Sequence, residues 1–410
     1  MIDPCKIKKD FPMFENKTQM QGHDLVFLDN ASTTFKPKCV IDAVLNYLSY
    51  ETSNSHRGDY DLCFNVDQKV DEARGVVADL LNAEKNEIVF TSGATMSVNL
   101  VAFGYAFKYL EKGDEILLTK AEHASNILPW FKLCELKGII VKFIPFDKDG
   151  RLTVENIKKT ITNKTKMIAV AHVSNVLGYI LDIKEITKIA HSHDILVFCD
   201  GAQSVPHMKV DVKDLDVDFL CFSAHKMCGP TGIGVLYGKY DLLDKMDPTL
   251  LGGGMNSKFH SNCEIKYLVP PAKFEAGTLN LEGIFGLIAA IKYVQAIGLD
   301  NIHNYESDLR KYFIKRIKEV KDIVLYNENA ESGIVTFNIK NIFAQDLATY
   351  LNSRGIAVRS GQHCAKILPE FLNEIATCRA SIYFYTTKED IDALVDALKN
   401  GGDFLDAYFS

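Results

Sequence analysis

The most informative single residue is a lysine at the carboxyl end of an apolar run. Lys226 follows Phe219-Leu220-Cys221-Phe222-Ser223-Ala224-His225 and leads into Met227-Cys228-Gly229-Pro230-Thr231-Gly232-Ile233-Gly234. A strand's carboxyl end faces the crevice where open α/β sheets bind ligands, and a Gly/Pro-rich continuation lets the backbone come close to one. An amine there can form a Schiff base with a carbonyl, although taken alone it would be an ordinary solvated turn residue. A second apolar run, Ile195 to Cys199, ends in the carboxylate of Asp200, followed by Gly201-Ala202-Gln203. A buried carboxylate beside a ring nitrogen keeps that nitrogen protonated and the ring electron-withdrawing; alone, Asp200 reads as a helix N-cap.

Phosphate needs backbone and hydroxyl donors, and Thr91-Ser92-Gly93-Ala94-Thr95 lies between the run Glu87-Phe90 and a helical pattern beginning near Met96. A strand leading into a helix start offers free N–H groups to an anion. Ser223 and His225 share the parity of a strand, so both are expected to face that anion. His123, in Ala121-Glu122-His123-Ala124-Ser125-Asn126, could stack on a cofactor ring and exchange protons with substrate; His172 and Asn175 could reach the ring substituents. An amine, a carboxylate and a phosphate cradle at successive strand ends together fit pyridoxal phosphate.

That cofactor leaves transamination, racemisation, elimination and desulfuration open. The deciding segment is Arg359-Ser360-Gly361-Gln362-His363-Cys364-Ala365, a strand end entering a loop. A loop thiolate can attack the sulfur of a bound cysteine, leaving a persulfide on the protein and releasing alanine. Arg359 nearby and His363 alongside are expected to make Cys364 more thiolate-like than a core cysteine.

These residues must be carried by alternating elements. Short β-rich runs (Leu25-Leu28, Glu87-Thr91, Glu115-Leu118, Ile139-Ile144, Met167-His172, Ile195-Asp200, Phe219-Ser223, Gly234-Tyr237) alternate with amphipathic stretches such as Val66-Leu81, Ser97-Tyr109 and Ile183-Ala190. The pattern predicts an α/β fold with a mostly parallel sheet covered on both faces. After a Gly/Pro-bearing stretch and a helix over Gly283-Ala296, the pattern changes. Helices are expected at Asn301-Val320, Ala344-Ser353 and Lys388-Leu398, with strands at Ile323-Tyr326, Ile334-Ile339, Ile356-Arg359 and Ala380-Tyr385. The expected division is a large domain over 25–295 and a smaller α+β domain from 1–24 and 296–410, the latter carrying Cys364 and Arg379.

The 410 residues carry 46 Lys plus Arg against 53 Asp plus Glu, a net charge of -7, with 47% hydrophobic residues. Disorder is excluded, and an acidic chain without a basic run has no footprint for nucleic acid or an anionic membrane. The absence of a long apolar stretch and of a signal-peptide start leads to a cytoplasmic expectation. Ten cysteines show no C-x-x-C spacing or tight Cys/His cluster, so no metal site is expected, and the chain's length, its lack of a secretion signal and cysteines inside apolar runs such as Ile195 to Asp200 argue against a disulfide framework.

From Leu28-Asp29-Asn30-Ala31-Ser32-Thr33 to Cys378-Arg379-Ala380-Ser381, the chain resembles the class V aminotransferase family of fold-type I pyridoxal phosphate enzymes, specifically group II cysteine desulfurases of the SufS kind. The resemblance implies that Lys226 holds the cofactor covalently, Asp200 pairs with the pyridinium nitrogen, His123 stacks on the ring, and Gln203 contacts the phenolic oxygen. Ala94, Thr95, Ser223 and His225 would hold the phosphate, with Thr278 contributed from the other subunit of a homodimer. Asn175 would lie near substrate and ring. Arg379 would clamp the substrate carboxylate, with Arg359, His56 and Arg57 near the substrate entrance. Cys364 would receive sulfur and pass it to an acceptor of SufE or SufU type, supplying iron-sulfur cluster assembly. Gln362 stands where the family often has a second histidine, and the 366–371 stretch is unusual. The competing readings are a selenocysteine lyase, another class V enzyme, or a noncatalytic scaffold of the same fold.

Overall fold

The computed structural model describes residues 2–55 and 58–400. After a short hairpin of Gln19–Met20 with His23–Asp24, its strands are β1 (Val26–Phe27), β2 (Ile88–Thr91), β3 (Glu115–Thr119), β4 (Ile140–Ile144), β5 (Thr165–Ala171), β6 (Leu196–Asp200), β7 (Phe219–Ser223) and β8 (Gly234–Gly238). All except β1 form one seven-stranded sheet in the order β2-β8-β7-β6-β5-β3-β4. The pairs are parallel except around β8, which runs antiparallel to both β2 and β7.

Helices α1 (Lys38–Asn46), α2 (Asp61–Leu81), α3 (Ala94–Val101), α4 (Leu128–Lys137), α5 (Ile183–His191) and α6 (Leu281–Ile297) cover this sheet. The alternation of strand side chains is visible in what each touches. Leu117 packs into the cluster holding Val70, Ile186 and Ile291, whereas Ile116 and Leu118 pack into the one holding Val98 and Trp130. Both faces are therefore apolar, which is why β2, β3, β7 and β8 are buried at every position and read as continuous hydrophobic runs. The Asp182 side chain caps α5 by accepting from the Glu185 N–H, and Ile183, Ile186 and Ile189 then repeat on its buried face.

The chain continues through a hairpin of β9 (Asn256–Phe259) and β10 (Ile265–Tyr267), then α7 (Leu299–Ile317). The C-terminal strands are β11 (Ile323–Leu325), β12 (Ile334–Ile339), β13 (Ile356–Ala357), β14 (Arg359–Gly361) and β15 (Thr377–Ser381), joined by α8 (Ala344–Ser353) and followed by α9 (Lys388–Asn400). Four of them form an antiparallel sheet, β11-β12-β15-β14.

The run Leu25-Leu28, expected among the strands of the alternating pattern, instead pairs in parallel with β13. Leu28 is buried with Phe313, Phe337 and Val395, and Asp29 bridges Ser381. Local periodicity shows that a segment is extended but not which edge it will join. The expected strand Ile356-Arg359 splits, its first half pairing with β1 and its second with β15. The strand expected over Ala380-Tyr385 closes at Ser381. Tyr385 beyond it stacks edge-on against Phe11, at 4.9 Å between ring centroids, and ties the amino-terminal segment to the body. The β9–β10 hairpin falls in the stretch expected to be irregular.

Candidate active site

The carboxyl ends of β5, β6 and β7 lie side by side, and β8 brings the end of β2 next to them. A cavity of about 200 Å³ opens there, lined by residues that include Ala31, Ser32, Ala94, Thr95, Asp200 and Lys226. Asp200, the last residue of β6, is buried and accepts from the Ala202 N–H at 3.0 Å. No helix starts after it, so it closes a turn rather than capping a helix, and it lines the cavity.

Lys226 closes the short turn Ala224–Lys226 after β7. Burial pulls its amine below the usual lysine range, with the Asp200 charge opposing that shift. The strand stops at Ser223, so strand parity is not what aligns Ser223 with His225. The turn carries His225 round, and both still line the cavity. Burial also lowers His225, to about 4.

The segment after β2 is bent by Gly93 at a φ of 147°, a conformation that favours glycine. A Cβ there would meet Ser223 Oγ at 3.2 Å. This bend aims the Ala94 N–H at Ser223 Oγ, 2.8 Å away, and presents Thr95, whose hydroxyl lies 2.7 Å from Ser125 Oγ. Backbone N–H groups at the start of α3, with the hydroxyls of Thr95 and Ser223, make an anion cradle. A buried amine, a buried carboxylate and this cradle around one cavity match the carbonyl, ring nitrogen and phosphate of pyridoxal phosphate.

His123 also lines the cavity, and its Nδ1 accepts from the Ser125 N–H at 3.1 Å, which leaves Nε2 as the protonated nitrogen. Burial, followed by the Lys226 charge, lowers it to about 4, so it is neutral at neutral pH. Behind it stands Glu122, which the sequence did not single out. Its carboxylate accepts from Thr119 Oγ1 (2.6 Å), Asn126 Nδ2 and the Ala171 N–H (both 2.8 Å), tying the His123 turn to β5. Burial pushes it up to about 8.

Arg379 lies in the middle of β15, opposite Arg359 in β14. It is 1% exposed yet lines the cavity. Its Nη1 donates to the Asn175 carbonyl at 2.9 Å, and Nη2 to Asp29 Oδ1 and Ser32 Oγ, both at 2.8 Å. Its Nε has no partner. Arg359 Nη1 donates to the same Ser32 Oγ at 3.1 Å, and its Nη2 lies 3.4 Å from Cys364 Sγ.

Cys364 is half-buried and, with His363, occupies the left-handed backbone region (φ 60° and 51°). Such consecutive non-glycine residues persist only where the surroundings hold them. The Ala124 N–H donates to the Cys364 carbonyl at 2.7 Å and Asn175 Nδ2 to the His363 carbonyl at 2.8 Å, pinning the loop. His363, expected alongside the thiol, is buried with Nε2 3.0 Å from the Thr377 carbonyl. Its ring serves the loop and not the sulfur.

Of the other residues singled out from sequence, Asn175 lines the cavity, but His172 is buried with an unpartnered Nδ1 and is not part of the wall. Gln203 is buried outside that wall, donating from Nε2 to the Ala31 carbonyl at 2.7 Å. Thr278 lies away from the cavity, donating to Asn54 Oδ1 at 3.2 Å; its loop is anchored by the buried Arg74–Glu275 pair at 2.8 Å. His56 and Arg57 lie outside the described residues. No single helix among those described is long and apolar enough to cross a membrane.

A mostly parallel sheet with a lysine and an aspartate at neighbouring strand ends, and a phosphate cradle beside them, defines a fold-type I pyridoxal phosphate enzyme. The chain belongs to the aminotransferase class-V family, whose model matches residues 26–394. It is 44% identical over 405 residues, 98% of this chain and 99% of the relative, to a probable cysteine desulfurase of Halalkalibacterium halodurans. It is 43% identical over 411 residues to one of Staphylococcus aureus, covering 100% and 99% of the two chains. Among solved structures it resembles an apo cysteine desulfurase from Thermococcus onnurineus, with a TM-score of 0.91, 36% identity, and 97% and 98% of the chains covered. It is also similar to the cysteine desulfurase CsdA from Escherichia coli in an S-sulfonic acid form, with a TM-score of 0.89, 34% identity and the same coverage.

Proposed function

We propose that this protein is a pyridoxal phosphate-dependent cysteine desulfurase that converts L-cysteine to L-alanine and takes the sulfur onto Cys364. The observation that carries the reading is one contact, Arg359 Nη2 at 3.4 Å from Cys364 Sγ, made by an arginine that lines the same cavity as Lys226. An aminotransferase needs no thiol at that place.

Lys226 would hold the cofactor, Asp200 its ring nitrogen, and Ala94, Thr95, Ser223 and His225 its phosphate, while His123, on the same cavity wall, would lie against its ring. Pyridoxal phosphate supplies an electron sink for the substrate α-carbon. Arg379 binds the substrate carboxylate with a planar fork that lysine could not reproduce. The Lys226 amine, made less basic by burial, would take the Cα proton. His123, neutral with Nε2–H exposed to the cavity, is the proton donor and acceptor on the sulfur side.

The Cys364 thiolate forms the new S–S bond as the substrate C–S bond breaks. The bonding pair stays on carbon and is protonated to the methyl of alanine. One thiol and one cysteine thus give one persulfide and one alanine, with no external oxidant.

The same reading makes the protein a cytoplasmic homodimer of the SufS kind in which Thr278 completes the partner's phosphate site and Gln203 reaches the phenolic oxygen once cofactor is bound. It hands its sulfur to a SufE- or SufU-type acceptor for iron-sulfur cluster assembly. The division into domains of 25–295 and of 1–24 with 296–410 belongs to it as well, with His56 and Arg57 at the entrance. Cys364→Ala tests the core of the reading. The variant should keep the near-visible absorbance of bound cofactor while losing alanine release from cysteine in the presence of a thiol reductant; release at the wild-type rate would reject Cys364 as sulfur acceptor.

A further inference from the structure

Asp29 and Ser32 lie in a turn after β1, with the Ser32 N–H donating to the Asp29 carbonyl at 3.1 Å. About 350 residues separate them from Arg379 along the chain, yet they meet it directly. The Ser32 hydroxyl donates its single proton to Asp29 Oδ1 at 2.8 Å. Its oxygen is then left as an acceptor, and it receives Arg379 Nη2 at 2.8 Å and Arg359 Nη1 at 3.1 Å. A hydroxyl has one donor and two acceptor sites, so this one is fully used.

The two guanidiniums are like charges on adjacent strands that share this oxygen, and Arg379 is held by the Asp29 carboxylate as well. They also face different tasks. Arg379 is nearly sealed and lines the cavity, while Arg359 is half-buried and touches Cys364 Sγ. We propose that the Ser32 hydroxyl, its rotation fixed by Asp29, is a positioning group that holds Arg379 and Arg359 together and so couples substrate binding to the reactivity of the Cys364 thiol. The inference rests on the desulfurase reading, in which Arg379 binds the substrate carboxylate and Cys364 receives the sulfur.

Removing the hydroxyl has distinct consequences at the two arginines. Arg379 keeps Asp29 and the Asn175 carbonyl but loses one acceptor beside a like charge, which weakens its hold on a carboxylate. Arg359 loses the anchor that fixes it against Cys364, and the sulfur loses a positioned hydrogen-bond donor. One substitution therefore moves two measurements made on two different residues.

The experiment uses the cofactor-loaded wild type and Ser32→Ala. KM for L-cysteine is measured by alanine release. The rate of Cys364 alkylation by iodoacetamide at neutral pH is followed by mass spectrometry of the peptide containing it, because Cys5, Cys39 and Cys263 are also exposed. Expected are a KM raised about threefold or more and a Cys364 alkylation rate at neutral pH down about threefold, the size of a lost charged hydrogen bond partly compensated by solvent. If Ser32→Ala melts like wild type and either measurement is unchanged, the coupling is refuted. A wild type that releases no alanine from cysteine would instead refute the desulfurase reading, and the alkylation rate would still report on the Ser32–Arg359 contact.

Discussion

A guanidinium against its sulfur separates Cys364 from the thiols around it. Cys228 and Cys378 are pushed up to about 12 by burial and stay protonated, and Cys199 and Cys221 are raised in the same way. Residue types and local order were enough to single out Lys226, Asp200 and Cys364, because each ends or follows a recognisable run, whereas Arg379, in the middle of β15, was reached only through the family resemblance. Asp29, Ser32 and Glu122 were not legible as functional. The first two act only through arginines some 350 positions away, and Glu122 acts from inside the wall by ordering a turn. His363 was misread for the opposite reason: adjacency in sequence to the thiol says nothing about ring direction once the backbone turns left-handed. At this scale Asp200→Ala should keep the cofactor attached through Lys226 but slow alanine release by about a hundredfold or more, since a fixed charge at the ring nitrogen is lost. Single-turnover alanine release checks this, and a loss under threefold would remove Asp200 from the ring nitrogen.

Strand existence was legible because β2, β3, β7 and β8 are buried on both faces and so apolar throughout. Strand partnership was not. Val26–Phe27 looks like any other β-rich run, and only the tertiary fold pairs it with Ile356–Ala357 and so places Asp29 and Ser32 over Arg379. The cradle depends on the junction of β2, β7 and β8. There Gly93 takes a positive φ, and a Cβ on Gly234 would meet Gly93 Cα at 2.5 Å. Gly93→Ala forces a side chain into that backbone conformation against Ser223 Oγ, at a cost of about 1–3 kcal/mol. Retention of pyridoxal phosphate after dialysis, followed by its absorbance, should weaken by about tenfold. Retention equal to wild type would mean that the 93–95 segment is not the phosphate cradle.

The whole molecule carries a pH signature of its buried groups. His172 is lowered to about 4 and His363 to about 3, both chiefly by burial, with His123 and His225 lowered alongside. The unfolded chain binds protons at these rings from about pH 6.5 downward while the folded one does not, so stability falls as pH drops through that window. Glu122 opposes this, since its raised folded value favours the folded state as pH falls from about 8 toward 4.5. Glu306, also raised by burial, acts in the same sense as Glu122, and the four histidines outweigh these two carboxyls. The unfolding midpoint should therefore drop between pH 6.5 and 5, and His172→Asn should flatten the drop. A midpoint that rises over that interval would show that these rings are not buried neutral.

The central claim, that Cys364 takes sulfur from cysteine, is tested most directly by following the atom itself. Cofactor-loaded protein is given one equivalent of L-cysteine without reductant, quenched with an alkylating agent, and digested. The account predicts one alanine per protein and one added sulfur on the peptide containing Cys364. Alanine formed with that sulfur absent from Cys364, or carried on another cysteine, would contradict it.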